Sequence, residues 1–264
     1  MARRAVEALL EAASEPASST AELLERLLAS GRELVVARPA MGAVAHAVGR
    51  LVASAHASSH LPPDELQRLV SEEGNALIAS RDRAAASIAV HLAPSLRDAL
   101  VLTHSDSATV REAVLHTPPA RVFCTASTPF EEGRRLAEDL RTEGLDVGLV
   151  EDDDIHRALE TTSLVLVGAD AVYEDGSVKN KIGTRPLAEA ARRTGVRTVV
   201  ACEVLKLGPV APPPVEDEPE LRDTTSPEFI DEIVTEEGPV VPADVKSVIE
   251  RTPFLRDGYR LVRP

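Results

Sequence analysis

The chain has few cysteines, few aromatic residues and no long apolar segment. Its two cysteines, Cys124 and Cys202, are too few for a disulfide framework, so we expect a protein of the reducing cytoplasm. No apolar run reaches the roughly 18 residues that a membrane-spanning helix needs. Glu7 and Glu11 interrupt the apolar N-terminal stretch, which therefore predicts an amphipathic helix and not a signal peptide. These absences argue against a disulfide-rich secreted domain and against a membrane protein.

Lysine is also scarce, since four of the 29 basic residues are lysines, and 43 acidic residues give a formal charge of −14. This charge argues against direct nucleic-acid binding, which needs a basic surface. Abundant acid with few lysines and aromatics is typical of an acidic, salt-adapted protein, although a high genomic G+C content also favours arginine and alanine. The 44% hydrophobic and 27% charged content is that of a globular chain with a core.

Apolar residues recur at helical spacing over the first third of the chain. Val6, Leu9, Leu10 and Ala13 form one stripe, and residues 41–55 are so rich in Ala and Val that they predict a buried helix. We therefore predict a helical N-terminal domain over residues 1–95.

The remainder, residues 96–264, predicts a Rossmann-like ligand-binding domain. Short β-branched runs at 98–104, 121–127, 146–152, 163–170 and 196–204 alternate with helical patterns. This alternation predicts an α/β fold with βαβ units and a doubly wound parallel sheet. The Pro-rich stretch 209–220 predicts a surface loop, and 226–238 a short helix followed by a final strand.

Ligands of such sheets bind at the carboxyl ends of the strands. The polar groups that fall there are His104, Ser105, Asp106, Asp170, Glu203, Lys206, Asn180, Lys181, Gly183 and Thr184. At 180–184 the backbone N–H groups, the helix dipole and Lys181 could hold a phosphate. The alternative is a glycine turn with Thr184 as helix cap and Lys181 in solvent. We find no cofactor motif, and the acids of 151–156 fit a helix start better than a metal site.

Several segments resemble one superfamily. GADAVYEDGSVKNKIGT (168–184), followed by PLAEAARRTGVRTVVACEVLKL (186–207), is similar to its hallmark segment. The superfamily contains ribose-1,5-bisphosphate isomerase, methylthioribose-1-phosphate isomerase and the α, β and δ regulatory subunits of translation initiation factor 2B. Further similar segments follow in order: ELVVARPAM (33–41), LVLTHSDSATV (100–110), TPFEEGRRLAEDL (128–140) and SPEFIDEIVTEEGPVVP (226–242).

The resemblance implies a helical domain joined to a Rossmann-like domain, assembled as homodimers or larger even-numbered oligomers. It implies that Asp170 stands at the position of the catalytic aspartate of the isomerases. Asn180 and Lys181 match the residues that grip the substrate, and Arg38 matches the arginine of the Arg-Pro segment. The ligand implied is a phosphorylated small molecule, either a sugar phosphate or a nucleotide.

The chain departs from the isomerase pattern at three places. Ser105 stands where the isomerases carry a catalytic cysteine, and a serine hydroxyl is far less acidic than a thiol. The segment Ala126–Pro129 lacks the usual glutamate and arginine, and no N-terminal Arg-Gly-Ala loop is recognisable. Two hypotheses follow: a non-catalytic member that binds a ligand and acts through assembly, or an aldose–ketose isomerase with altered groups, using Asp170 with Asp106 or Ser105.

Overall fold

A computed structural model of the chain describes residues 2–37, 42–210 and 220–262. The described helices are α1 (Ala2–Ser14), α2 (Thr20–Val36), α3 (Gly42–Ala57), α4 (Pro63–Leu96), α5 (Ala108–His116), α6 (Glu132–Thr142), α7 (Ile155–Leu159), α8 (Thr184–Thr194), α9 (Val245–Glu250) and α10 (Tyr259–Val262). The described strands are β1 (Leu100–Thr103), β2 (Arg121–Thr125), β3 (Val147–Val150), β4 (Leu164–Val167), β5 (Ala171–Val172), β6 (Val178–Lys181), β7 (Arg197–Ala201), β8 (Arg222–Thr225), β9 (Glu232–Thr235) and β10 (Gly238–Val240). Within these residues, no helix is both long and apolar enough to cross a membrane.

The described residues pack into two units, each with its own core. Residues 2–83, 205–210 and 246–262 form a helical unit, and residues 84–204 and 220–245 form an α/β unit. The two domains predicted from the sequence, residues 1–95 and residues 96–264, stay a prediction.

The core of the helical unit is built from small and aliphatic side chains of α1 to α4. Leu9, Leu23 and Leu27 are almost fully buried, as the helical spacing predicts. The predicted Ala- and Val-rich helix is α3, and its Gly49 lies against the π-helix Phe254–Gly258. A Cβ at Gly49 would lie 2.4 Å from the carbonyl oxygen of Gly258. Close packing of backbone on backbone therefore fixes this helix crossing.

The α/β unit contains a seven-stranded sheet in the order β10-β9-β7-β4-β1-β2-β3. Neighbouring strands are parallel except for β9 and β10 at one edge. The chain moves outward from β1 through β2 to β3 and then returns to β4 on the other side of β1. This reversal is the topological switch point of a doubly wound sheet, so the predicted fold class is confirmed. In doubly wound sheets, ligands bind outside the carboxyl ends of the strands that flank this point, which here are β1 and β4.

A second, three-stranded sheet of order β5-β6-β8 lies in the same unit and is antiparallel. The sequence predicted no strand between the run at 163–170 and the glycine turn near 183, whereas residues 171–181 form the hairpin of β5 and β6. Gly176 has a φ of 84° in the connecting turn, a conformation that favours glycine. Residues 226–238 give a 3₁₀ turn (Pro227–Phe229) and strand β9, close to the predicted short helix and strand.

Candidate functional site

The loops after β1 and β2 are joined by a buried hydrogen bond in the α/β unit. Ser105 follows β1 with a left-handed backbone (φ 63°), and Ser127 follows β2 with φ 62°. The amide N–H of Ser105 donates to Ser127 Oγ over 2.7 Å. Because β1 and β2 are parallel neighbours, this bond fixes the two loops together at the carboxyl edge of the sheet.

The side chain of Ser105 is bound to an ion pair. Its hydroxyl donates to Glu132 Oε2 over 2.6 Å, and Glu132 Oε1 lies 3.1 Å from Lys181 Nζ. Lys181 Nζ also lies 4.7 Å from the centre of the Phe130 ring, within cation–π range. Burial tends to raise the pKa of Glu132, but the hydrogen bond from Ser105 and the contact with Lys181 outweigh burial and lower that pKa. Glu132 is therefore an ionised acceptor and a weak base.

His104 connects β1 to β2 and to the segment before α8. Its Nε2 lies 2.7 Å from the carbonyl oxygen of Ile182, which can only accept, so the proton is on Nε2. Burial lowers the pKa of His104, outweighing the bond to Ile182 that raises it. The ring is then neutral, and Nδ1 accepts from Thr125 Oγ1 over 2.7 Å. Both ring nitrogens are engaged within the protein, so His104 holds these three segments together.

The start of α6 lies directly on the end of β2. A Cβ at Gly133 would lie 1.9 Å from the carbonyl oxygen of Thr125 and 2.9 Å from Ser127 Oγ. Only a glycine lets the helix approach this closely. The glycine of the segment TPFEEGRRLAEDL thus has a steric reason, and the close approach of the helix brings Glu132 beside Ser105.

Asp170 directly precedes strand β5 of the small sheet, and Asn180 lies in strand β6. Asp170 Oδ2 accepts from Arg222 Nε over 2.6 Å, and this pair is only partly exposed. Arg222 lies opposite Lys181 in the pairing of β6 with β8. Asn180 Nδ2 donates to Thr184 Oγ1 over 3.1 Å, and the Thr184 hydroxyl donates to the carbonyl of Lys181. Asn180 therefore faces the start of α8, and Asp170 is held by an arginine.

A carboxylate from β8 caps helix α8. Asp223 Oδ2 accepts from the N–H of Gly183 over 2.8 Å, and both its oxygens accept from the N–H of Arg185 over 3.1 Å. Gly183 has a φ of 101°, and a Cβ there would lie 2.7 Å from Cε1 of His104. The predicted phosphate-binding end of this helix thus holds an acid of the protein itself, and Lys181 is paired with Glu132 and only partly exposed.

A cavity of about 360 Å³ opens beside this network. The buried His104, Thr125 and Leu187 form its floor, with Ile155 and Ile182 among its half-buried lining. Asp152 also lines it, and its carboxylate accepts from the N–H groups of Ser127 and Thr128 and from the Thr128 hydroxyl. Burial tends to raise the pKa of Asp152, but the bonds from Thr128 and Ser127 outweigh burial and lower the pKa, so the carboxylate is ionised.

The structure brings together His104, Ser105, Lys181 and Gly183 among the predicted site residues. Lys206 belongs to the helical unit, in the 3₁₀ turn Val204–Lys206. Arg38 lies outside the described residues. The catalytic and ligand-binding roles of all of these stay predictions.

Cys124 is an inert core thiol, because burial raises its pKa to about 12. In the parts of the chain that the structure describes, no group of three or more His, Cys, Asp or Glu side chains could hold a metal ion.

Sequence reasoning missed Glu132, Arg222 and Asp223. Glu132 has the usual position of an acid in the first turn of a helix, where the helix dipole is the default explanation. Arg222 and Asp223 follow the Pro-rich stretch and come to the site through the pairing of β8 with β6, some 40 residues earlier in the chain. The one usable signal in the sequence was the presence of Gly133 near the start of a predicted helix, and the structure explains it by the close approach to the Thr125 carbonyl.

The model of the family described as the Initiation factor 2 subunit family matches residues 1–225 of the chain. Among curated proteins, ribose 1,5-bisphosphate isomerase of Haloferax volcanii is 31% identical over 93% of this chain and 84% of its own length. The crystal structure of translation initiation factor eIF-2B from Pyrococcus horikoshii is 25% identical, with a TM-score of 0.78 over 91% of this chain and 90% of that one.

The tetrameric eIF2B-beta2-delta2 complex from C. thermophilum contains a chain with a TM-score of 0.82 to this one. It covers 95% of this chain and 88% of that one at 20% identity, so the likeness concerns the fold alone.

Proposed function

We propose, for a chain that belongs to the Initiation factor 2 subunit family, that it binds a phosphorylated sugar or nucleotide without isomerising it and acts through homo-oligomeric assembly. The observation that carries this proposal is the hydrogen bond from Ser105 Oγ to Glu132, which is itself paired with Lys181. The residue at the position of the isomerases' cysteine is thus a serine whose proton already has an acceptor in the protein.

The electrostatics of this position also favour the non-catalytic hypothesis. Proton transfer at a sugar carbon needs an acid and a base whose pKa values lie near the working pH. A serine hydroxyl has no such pKa, and the lowered pKa of Glu132 makes that carboxylate a weak base. Asp170, the predicted catalytic aspartate, is engaged by Arg222 over 2.6 Å. An isomerase mechanism would first have to release Asp170 from this arginine.

The same ion pairs supply the cations for a phosphate. Lys181 and Arg222 lie opposite each other on β6 and β8, and their side chains are 16% and 18% exposed. A phosphate that reaches them would replace a carboxylate as the partner of Lys181, exchanging one charge-assisted contact for another. Ligand binding would then release Glu132 and, through it, the hydroxyl of Ser105. Binding of a ligand would thereby free the side chain of Ser105, which lies in the loop after β1.

A thermal-shift screen with ribose 5-phosphate, ribose 1,5-bisphosphate and adenosine monophosphate tests the binding proposal. At least one phosphorylated compound should raise Tm, because a ligand that binds the native state stabilises it. The Lys181→Met variant should lose the shift, and Lys246→Met, which removes an exposed lysine from α9, should keep it. No shift with any of the three compounds would contradict a phosphorylated ligand.

Light scattering tests the assembly proposal. We expect a homodimer or a larger even-numbered oligomer, in line with the tetrameric complex of the structural neighbour. A monomer at all concentrations would contradict action through assembly.

The second candidate function is isomerisation of a sugar phosphate by altered groups. Asp170 on its Gly-Ala-Asp segment supports it, as does the likeness to the Haloferax enzyme over 93% of the chain. Turnover of ribose 1,5-bisphosphate that is lost in the Asp170→Asn variant would establish this function in place of the first.

A further inference from the structure

The cavity beside the network offers a ligand few free hydrogen-bond donors. His104 Nε2 donates to Ile182, the Thr125 hydroxyl donates to His104, and the Thr128 hydroxyl donates to Asp152. The N–H of Gly183, the glycine in the lining, donates to Asp223. A phosphate needs several donors, and these groups are already committed within the protein. The cavity is thus a poor place for the phosphate itself.

The charges in the lining are of one sign. Asp152 and Glu220 are acidic, and no lysine or arginine is among the described residues that line the cavity. The carboxylate of Asp152 has about four acceptor positions. It uses three of them for Ser127 and Thr128, so one remains for a ligand. Glu220 is exposed, which leaves its carboxylate open to solvent at the edge of the cavity.

The remaining lining is apolar. Leu187 lies in the floor, Ile155 and Ile182 are half-buried, and Pro129 and Pro186 are exposed. A cavity of this size holds a small ligand, and apolar walls favour a hydrocarbon body. The lining therefore combines an apolar interior with two carboxylates, of which one is partly buried and one is exposed.

We propose that this cavity binds a primary ammonium group carried on an apolar body, with the ammonium at Asp152 and the hydrocarbon against Leu187, Ile155 and Ile182. An ammonium group has three donors and a positive charge, which complement the free acceptor position and the charge of Asp152. The site is distinct from the cations at Lys181 and Arg222. The proposal does not depend on phosphate binding, and either can fail alone.

Calorimetric titration of the full chain with three probes of equal chain length tests the proposal: hexylammonium, 1-hexanol and hexanoate. Hexylammonium should bind at least tenfold more tightly than hexanol, and hexanoate should not bind. The affinity for hexylammonium should fall as salt is raised from about 0.05 M to about 0.5 M, because mobile ions screen the pairing with a partly exposed carboxylate. Equal affinity for hexylammonium and hexanoate would overturn the proposal.

Two variants locate the site. Asp152→Asn keeps an acceptor for the backbone and removes the charge, and it should weaken hexylammonium at least tenfold; Asp153→Asn, an exposed neighbour, should leave the affinity unchanged. Ile155→Trp fills the cavity from a half-buried position and should abolish binding of hexylammonium while keeping the wild-type circular dichroism spectrum. Unchanged binding in a folded Asp152→Asn or Ile155→Trp protein would overturn the proposal.

Discussion

Buried polar side chains are distributed very differently between the two units. Among the described residues of the helical unit they are His46 and Thr252. The α/β unit buries many more, including His104, Ser105 and Ser127 at the strand ends. Small side chains and close backbone contact suffice to fix helices against one another. Loops at a sheet edge have no such repeating contact, so hydrogen bonds must fix them, and these loops are where ligands bind.

The two buried histidines among the described residues, His46 and His104, illustrate the difference. His46 Nδ1 lies 2.7 Å from the carbonyl oxygen of Leu205, and its Nε2 has no hydrogen-bond partner in the described residues. His104 uses both nitrogens and links three segments of chain. A single hydrogen bond places a ring in a packed helical core, while His104 is part of the framework of the candidate site.

The largest loss of stability is expected from Gly133→Ala. A Cβ 1.9 Å from the carbonyl oxygen of Thr125 forces α6 away from β2 and separates Glu132 from Ser105. Overpacking of backbone on backbone should lower the free energy of unfolding by about 3 kcal/mol. Urea denaturation measures this loss.

Gly74→Ala is the matched control from the helical unit. Its Cβ would meet only the end of the Leu10 side chain, at 2.6 Å, and that side chain can rotate away. Alanine also gains about 1 kcal/mol of helix propensity. An equal loss in both variants would contradict the steric account of Gly133.

Acid should destabilise the protein through His46. Burial lowers its pKa to about 4 in the folded state, while the unfolded chain keeps the ordinary value of 6.5. Between these values the unfolded chain binds a proton that the folded chain does not, so stability is lost as the pH falls from 6.5 towards 4. The shift corresponds to about 3 kcal/mol.

The His46→Asn variant isolates this contribution, because its amide can still donate to Leu205 but does not titrate in this range. Urea denaturation at pH 7.5, 6, 5 and 4 should show a smaller acid loss in this variant than in the wild type. His60→Asn, at an exposed position, should follow the wild type. Identical curves for all three proteins would contradict a buried neutral His46.

Two helix caps, one from each unit, differ in the same sense. Helix α2 is capped locally, with Ser19 Oγ accepting from the N–H of Glu22 over 3.2 Å. Helix α8 is capped by Asp223, from a distant strand. Asp223→Ala should cost about 2 kcal/mol and Ser19→Ala about 1 kcal/mol, because the charged acceptor of Asp223 serves two partly buried N–H groups and the serine hydroxyl serves one. Thermal unfolding ranks the variants, and the reverse order would contradict a structural role for Asp223.

The smallest change in stability, about 1 kcal/mol or less, is expected from Glu132→Gln. The glutamine can still accept from Ser105, but Lys181 loses its ionic partner. Ribose 5-phosphate should then bind about tenfold more tightly, equivalent to about 1.4 kcal/mol, because it no longer competes with a carboxylate. Calorimetry gives the affinity. Glu131→Gln, whose partner is Arg134, is the control and should bind as the wild type does.

Much of the fold could be predicted from local sequence pattern. The strands of the large sheet that are β-branched and buried on both faces, such as β1, β4 and β7, lie within the predicted runs. The hairpin of β5 and β6 was missed because Val178–Lys181 contains two lysines and its partner β8 is some 40 residues away. The local partner of β6, strand β5, is only two residues long, and the longer pairing of β6, with β8, lies outside any local window.

Part of the candidate site could likewise be predicted from local sequence pattern. Ser105, His104 and Lys181 follow strands or precede a helix, and parallel topology makes their convergence a consequence of the fold. Their partners Glu132 and Asp223 come from the start of a helix and from an antiparallel strand, where an acid has several ordinary roles. A sequence therefore indicates which groups reach the edge of the sheet, but not which of them neutralise one another there.

The most direct test of the central claim is the incubation of the purified wild-type protein with ribose 1,5-bisphosphate, followed by phosphorus NMR. The Haloferax volcanii isomerase serves as the positive control. Because Ser105 already donates to Glu132 and Asp170 is held by Arg222, we expect the substrate signals to persist with no ketose bisphosphate formed. Appearance of the ketose product with the wild type, and its loss with Asp170→Asn, would contradict the non-catalytic account.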